Sequence, residues 1–425
     1  MESSEIVFDI ECDGLRPTQI FCVCAEDFAT GETWDFFEAS EFQNFVDEQK
    51  GSSFYAHNGI SFDFPVLADL WDIVFVGVER MDTMVLSRLA NPSRAGGHGL
   101  KSLSNSAGVP KLDAPSFTEY SPELLEYCRG DVRSTVAVLR MLKRELEGFD
   151  ERAIDLEHEV ARLIFSQEEN GWLLDDERVF DLLAVLKEKK FELEDKVHEK
   201  FKPRAKAVRH IVPKVNKNGA TSVVGLQWLG EHALELVGGE FTRIEWPDFN
   251  LGSRQQIGEY LQHFGWKPRQ FTDTGQPIVS EKVLMNIKGI PEAELIADYL
   301  TVQKRIAMAQ SWLDAQQDDG RVHGRVNSNG AVTGRMTHYE PNMAQVTSGS
   351  KIYGTEMRSC WIAPSGYRIV GCDASGLELR MLAHYMADEG YIKEVVDGDV
   401  HTANQRAAGL DTRDQAKTFI YAFLY

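Results

Sequence analysis

The sequence predicts an α/β domain over residues 1–148, a mainly helical region over 149–320, and an α+β region over 321–425. Three observations carry this. Short β-branched and aromatic runs alternate with helical periodicity before residue 148. From 151 to about 200 the chain turns to long amphipathic segments rich in Glu and Lys. After 322, Gly and Asn turns separate one further strand-like run from several helical ones.

In chain order, residues 5–10 (Glu-Ile-Val-Phe-Asp-Ile) and 20–25 (Ile-Phe-Cys-Val-Cys-Ala) read as buried strands, and Asp13-Gly14 supplies the turn signal of a β-hairpin. Residues 53–57 and 73–77 read as two more strands, while 60–71, 99–107 and 121–145 have helical spacing of apolar residues. Ile154, Leu156, Val160, Leu163 and Ile164 mark the first long helix of the second region, and 176–201 repeats the pattern. A stretch near 202–248, with Gly219, Gly225, Gly230, Gly238 and Gly239, reads as loop until Ser253 offers an N-cap. Helices are expected near 253–264, 280–287 and 292–316, a strand at 367–373, and helices at 376–387, 400–408 and 412–425.

At 425 residues and 43% hydrophobic content the chain can fill more than one core, since single cores stop growing at roughly 250–300 residues. Its start lacks the basic and apolar runs of a signal peptide, and no apolar stretch suits a membrane span, so a soluble intracellular protein is expected. The formal net charge of −21 argues against a protein that coats DNA, because phosphate neutralisation by Lys and Arg dominates nonspecific affinity. It leaves room for an enzyme that holds DNA in a local groove. Lys202, Arg204, Lys206, Arg209, Lys214 and Lys217 form an acid-free run that fits either a solvated loop or a surface facing DNA or a partner. Cys12, Cys22, Cys24, Cys128, Cys360 and Cys372 are scattered without Cys-x-x-Cys pairs, which points to reduced thiols and no zinc site.

Asp9 and Glu11 are two apart on a predicted strand and therefore share a face. Alone this is weak. It gains weight from Tyr55-Ala-His-Asn-Gly-Ile-Ser-Phe-Asp63, a strand running into a loop with Asn58 and then Asp63, and from Tyr127-Cys-Arg-Gly-Asp131, whose ends share a helix face. Gathered carboxylates repel one another unless cations bind between them, and hard divalent ions suit oxygen ligands. Two Mg²⁺ or Mn²⁺ could activate a water against a phosphodiester. In this reading Asp9 bridges both ions, Glu11 and Asp131 complete one, Asp63 holds the other, and Tyr127 orients the water. The three segments resemble, in order and spacing, the exonuclease motifs of DnaQ-like proofreading nucleases. The resemblance covers about residues 1–145 and implies an RNase H-like fold, 3′-to-5′ hydrolysis of DNA, and contact of Asn58 with the DNA. Asp82-Thr-Met-Val-Leu-Ser-Arg-Leu and His98-Gly-Leu-Lys-Ser-Leu also resemble this class, though packing explains most of their residues.

A second constellation lies near the other end. Gly371-Cys-Asp373-Ala-Ser-Gly-Leu-Glu378 puts one carboxylate at the end of a predicted strand and another on the following helix. Arg413, Lys417, Tyr421 and Tyr425 follow at spacings of four, a row of cations and aromatics that suits either a triphosphate with a stacked base or an amphipathic helix with a basic edge. With Thr333-Gly-Arg335 to Gln345 and Gly398-Asp-Val-His401, these segments resemble the family A, Pol I-type DNA polymerases of phage T-seven-like viruses. The resemblance implies that Asp373 binds the catalytic Mg²⁺ ions, Glu378 excludes a ribose 2′-hydroxyl, and His401, Arg413 and Lys417 hold the dNTP triphosphate. It gives Tyr421, with Tyr425 beyond it, a part in sugar and nucleotide selection, and it places Arg335 and Gln345 against the primer-template. It implies a thumb for 149–320, a partial palm and fingers for 321–425, and the cytoplasm of an infected bacterial host.

Two departures follow from the resemblance. The stretch 202–248 is shorter than the thioredoxin-gripping insertion of such enzymes, so no thioredoxin-type processivity factor is expected. The palm's second metal-binding carboxylate is missing from these 425 residues, so the expectation is the N-terminal subunit of a split polymerase: proofreading complete, DNA synthesis dependent on a C-terminal partner chain. The alternatives are a standalone exonuclease with a vestigial polymerase region and a non-catalytic primer-template scaffold.

Overall fold

In the computed structural model the described residues are 4–424 except 213, 215 and 220–239. Contacts divide the chain into two compact units, Met1–Ile362 and Ala363–Tyr425.

The first unit opens on a five-stranded mixed sheet of order β3-β2-β1-β4-β5. Its strands are β1 (Glu5–Cys12), β2 (Ile20–Asp27), β3 (Thr33–Phe36), β4 (Ser53–Ala56) and β5 (Glu79–Asp82). β1 and β2 form the expected antiparallel hairpin, with Asp9 opposite Cys24 and Glu11 opposite Cys22, while β4 runs parallel to both β1 and β5. Strand alternation sorts β1 cleanly. Ile6, Phe8 and Ile10 enter a core with Phe42, Phe54 and Phe64, and Val7 joins Cys22, Cys24, Cys128 and Leu139 on the opposite face. Helices α1 (Ala39–Glu48), α2 (Asp63–Trp71), α3 (Thr83–Ala90), α4 (Leu100–Ser106) and α5 (Pro122–Glu145) accompany the sheet. α5 packs on β1 and β2 and buries Leu124, Cys128, Val132, Leu139 and Leu142.

The strand expected at 73–77 is not one. Residues 72–75 carry no regular structure, Ile73 is buried, and the Phe75 ring lies edge-on to Phe64 with centroids 5.0 Å apart. The apolar run fills the aromatic core, and the strand beside β4 forms only after the Gly77 turn, from Glu-Arg-Met-Asp, which has little strand character of its own. α1 and α3 were not foreseen.

The helical region is as expected in outline: α6 (Glu151–Asn170), α7 (Asp176–Lys200), α8 (Arg254–His263), α9 (Glu281–Met285) and α10 (Pro291–Ala315). Ser253 caps α8 by accepting from the Gln256 N–H, and Asp175 caps α7 through the Arg178 N–H. α7 and α10 pack together around a core that includes Leu183, Leu186, Ile296, Val302 and Trp312. Part of the predicted loop is structured: Lys206–Ile211 pairs antiparallel with Phe241–Glu245. Gly225, Gly230, Gly238 and Gly239 lie outside the described residues.

The second unit contains α12 (Leu377–Met386), α13 (Glu389–Val396), α14 (Val400–Ala408) and α15 (Arg413–Leu424), after a short α11 (Gly354–Ser359) in the first. The strand expected at 367–373 is absent. Those residues have no regular structure and are exposed, Val370 at 88%. A strand needs a neighbour for its backbone N–H and C=O groups, and none of the described strands pairs with this segment.

Candidate active site

Three elements deliver the carboxylates. β1 places Asp9 and Glu11 on the face that α5 covers, and α5 brings Tyr127 and Asp131 from above. α5 is fixed at its start by Ser121, whose Oγ accepts from the Leu124 N–H at 3.1 Å, and by Pro122 in the first turn. Asp63 is the first residue of α2. Glu11, Asp63, Asp131 and Tyr127 are buried, and Asp9 is half-buried as a whole residue.

The loop before Asp63 is held by a residue whose role the sequence did not disclose. Asp82, 2% exposed, accepts from the backbone N–H groups of Asn58 at 2.9 Å, Ile60 at 3.1 Å and Met84 at 2.8 Å. It thereby caps α3 and ties down the turn in which Asn58 adopts φ 64°. The Asp82 N–H in turn donates to Nε2 of His158 on α6 at 3.0 Å, while Nδ1 of His158 donates to the Ile154 carbonyl at 2.7 Å. Burial holds His158 below its ordinary pKa, which suits this neutral tautomer.

The electrostatics are those of a cluster short of positive charge. Burial drives Asp9 well above the carboxylate range, reinforced by Asp63, Asp131 and Glu11. Burial, then Asp131, lifts Glu11 to about 8. Burial lifts Asp63 to about 7 against backbone hydrogen bonding, and lifts Asp131 against the pull of Lys111. Lys111, from a Pro-rich loop, ion-pairs with Asp131, and its ammonium lies 4.9 Å from the centre of the Tyr127 ring. One Asp131 oxygen, Oδ1, is buried without a hydrogen-bond donor. Crowded acids with a vacant buried lone pair and, among the described residues, one facing lysine fit divalent cations with oxygen ligands. Lys111 escaped notice because its loop has no period to place it.

The remaining sequence-predicted residues fall in two places. In the second unit, α14 and α15 bring His401, Arg413, Lys417 and Tyr421 together. Arg413 is clamped on Asp399 with Nε 2.9 Å from Oδ2, Asp399 also caps α14 through the His401 and Thr402 N–H groups, and the His401 and Tyr421 ring centres are 6.4 Å apart. Burial and then the charges of Arg413 and Lys417 lower His401. The Asp399 clamp was not foreseen. Glu378 lies in the first turn of α12, Asp373 is exposed in the irregular segment before it, and Tyr425 lies outside the described residues. Arg335 and Gln345, both exposed, belong to the first unit: Arg335 closes a turn in which its carbonyl accepts from the Ala331 N–H at 3.0 Å, and Gln345 ends a short 3-10 turn.

The six cysteines are free thiols, as expected. Cys22, Cys24 and Cys128 converge behind Asp9, all buried, with sulfurs within 4.8 Å of one another.

Residues 228–425 match the family model of DNA polymerase family A. The chain is 31% identical to the DNA-directed DNA polymerase of Enterobacteria phage T3 and 32% identical to that of Escherichia phage T7, each match covering 99% of this chain and 75% of the relative. These alignments run over 530 residues, so both relatives carry insertions that this chain lacks. The thermostable DNA polymerase I of Thermus filiformis is 29% identical over 59% of this chain and 31% of its own length. Among solved structures, the POL domain of Pol1 from M. smegmatis, in complex with DNA primer-template and dNTP, superposes with a TM-score of 0.70 at 17% identity, covering 99% of this chain and 68% of that one.

Proposed function

This chain belongs to DNA polymerase family A, and we propose that within it residues 1–148 form a 3′-to-5′ proofreading exonuclease that uses two Mg²⁺ or Mn²⁺ ions. The buried four-carboxylate cluster carries this reading: Asp9, Glu11, Asp63 and Asp131 meet from β1, α2 and α5 with raised affinity for protons and one counter-charge, Lys111. The 3-2-1-4-5 sheet order supports an RNase H-like fold for it. Bound ions would supply an activated water and neutralise charge on the leaving 3′-oxygen. Asp9, central between the strand and helix ligands, would serve both ions. The Tyr127 hydroxyl would orient the water, Asn58 would steady the strand entering the cleft, and Lys111 would face the scissile phosphate.

For the remainder we propose a helical thumb over 149–320 and a partial palm and fingers over 321–425. There Asp373 takes Mg²⁺, Glu378 screens the sugar, His401, Arg413, Lys417 and Tyr421 receive a dNTP, and Arg335 and Gln345 touch primer-template. A second polypeptide carrying further fingers and palm is proposed as the partner for synthesis. What supports it is apolar exposure in the second unit: Tyr367, Ile369, Val370, Tyr385 and Phe423 are each more than half exposed. Thioredoxin is not assigned as a partner, and among the described residues no helix is long and apolar enough to cross a membrane.

The test is direct. The chain with Mg²⁺ should shorten a 3′-terminal single-stranded DNA one nucleotide at a time, and Asp9→Ala should reduce the rate at least a thousandfold. Degradation by Asp9→Ala at the wild-type rate would remove the exonuclease from this site. Primer extension with and without the partner polypeptide separates the split enzyme from a standalone nuclease or a scaffold.

A further inference from the structure

Cys22 and Cys24 alternate onto one face of β2, opposite Glu11 and Asp9 in the hairpin register, and α5 lays Cys128 across them. The three sulfurs lie within 4.8 Å of one another, and Cys128 belongs to a second group of the same compactness with Asp9 and Glu11. Its Sγ is 3.9 Å from Asp9 Oδ2. Buried thiols often serve only as small side chains with a local hydrogen bond: the Cys12 thiol donates to the Gly14 carbonyl, the Cys360 thiol to the Glu356 carbonyl, and the Cys128 thiol to the Asp9 carbonyl at 3.4 Å. The triad differs because its three sulfurs face one another beside a carboxylate. A tetrahedral ion with metal–sulfur bonds of about 2.3 Å sets its sulfurs roughly 3.8 Å apart, so sulfurs already within 4.8 Å of one another have only a short distance to close.

We propose that Cys22, Cys24 and Cys128 form a binding site for a thiophilic divalent ion such as Zn²⁺ or Cd²⁺, with Asp9, which now groups with Cys128 and Glu11 and not with the other two sulfurs, swinging toward the ion as a fourth ligand. Each coordinating thiol gives up its proton to solvent as it binds. Soft sulfur ligands reject Mg²⁺, so the site is chemically separate from the oxygen cluster next to it. Because Asp9 has two claims on it, an ion held by the cysteines draws Asp9 away from the hydrolytic cluster. The binding claim stands on the cysteines alone; the inhibition rests on the exonuclease reading.

The experiment titrates the metal-free full chain with Cd²⁺ in excess Mg²⁺ and follows thiolate-to-cadmium absorption in the ultraviolet. The expected result is one ion per chain with the intensity of three thiolates, lost in Cys128→Ser and in Cys22→Ala, and kept in Cys372→Ser, whose thiol is exposed. Circular dichroism and the melting temperature show which variants are folded. No absorption by the wild type, or a band that persists in folded Cys128→Ser or Cys22→Ala, overturns the site. In the hydrolysis assay, saturating Zn²⁺ should slow the wild type at least tenfold and slow Cys128→Ser, normalised to its own rate, less than twofold. A cadmium band without this inhibition removes Asp9 from the ligand set, whereas a band from a chain that shows no Mg²⁺-dependent hydrolysis keeps the thiolate site and rejects the exonuclease.

Discussion

Asp63 and Glu11 show how one residue's surroundings become a measurable property. A carboxyl raised by burial binds its proton more tightly in the folded chain than in the unfolded one. Its contribution to stability is therefore complete below the unfolded pKa near 4 and is lost as pH rises through the folded pKa, about 7 for Asp63 and about 8 for Glu11. The metal-free protein should melt at progressively lower temperature between about pH 4 and pH 8, and excess Mg²⁺ should restore most of the loss at pH 8. A melting temperature that stays flat across this window in chelator would refute the crowded-cluster account. Lys111 belongs to the same ledger of charge. Lys111→Met removes the cation paired with Asp131, so it should lower the metal-free melting temperature at pH 8 and leave a smaller deficit once Mg²⁺ is bound. Calorimetric titration with Mn²⁺ checks the companion expectation, that affinity changes less than tenfold, because Lys111 faces the cluster without bridging its strand and helix.

At the scale of elements, Asp82 links β5, α3, the Asn58 loop and, through its own N–H, α6. Asp82→Ala strands the N–H groups of Asn58 and Ile60 in a buried setting and removes a helix cap, a loss of about 2–4 kcal/mol. Its melting temperature should fall by several degrees, and hydrolysis should fall more than tenfold at saturating Mg²⁺, since Asp63 begins the helix that this loop leads into. What the sequence revealed follows the same division. Asp9 with Glu11, and Tyr127 with Asp131, were legible because strand and helix periods turn sequence spacing into shared faces. Asp82 looked like packing, since its partners are backbone groups that no sequence displays. Cys22, Cys24 and Cys128 looked scattered because only the packing of α5 on β2 closes a gap of a hundred residues. The two false strands, 73–77 and 367–373, have strand composition without a strand's neighbour: one run is spent on an aromatic core, the other lies exposed. Sheet formation depends on pairing partners far along the chain, and composition is silent about them.

For the whole molecule, all four carboxylates of the candidate nuclease site belong to the unit Met1–Ile362, while His401, Arg413, Lys417 and Tyr421 belong to Ala363–Tyr425. The start of the second unit, 366–376, has no helix or strand and is exposed throughout. Proteases cut where backbone is accessible and unpaired, and an irregular exposed segment costs little to open. Brief digestion should therefore cleave within 366–376 first and leave a fragment ending there. That fragment should retain Mg²⁺-dependent hydrolysis of single-stranded DNA within about twofold of the intact chain, because no carboxylate, Tyr127 or Lys111 is lost with the cut. Mass spectrometry locates the first cleavage and the hydrolysis assay follows the fragment. If activity disappears with the second unit, the nuclease depends on residues outside the cluster, and the division of labour between the units is wrong. The same digestion tests the partner: a polypeptide that covers Ile369 and Val370 should slow cleavage of 366–376 in proportion to its occupancy, and one that restores DNA synthesis while leaving that segment equally cleavable must dock elsewhere.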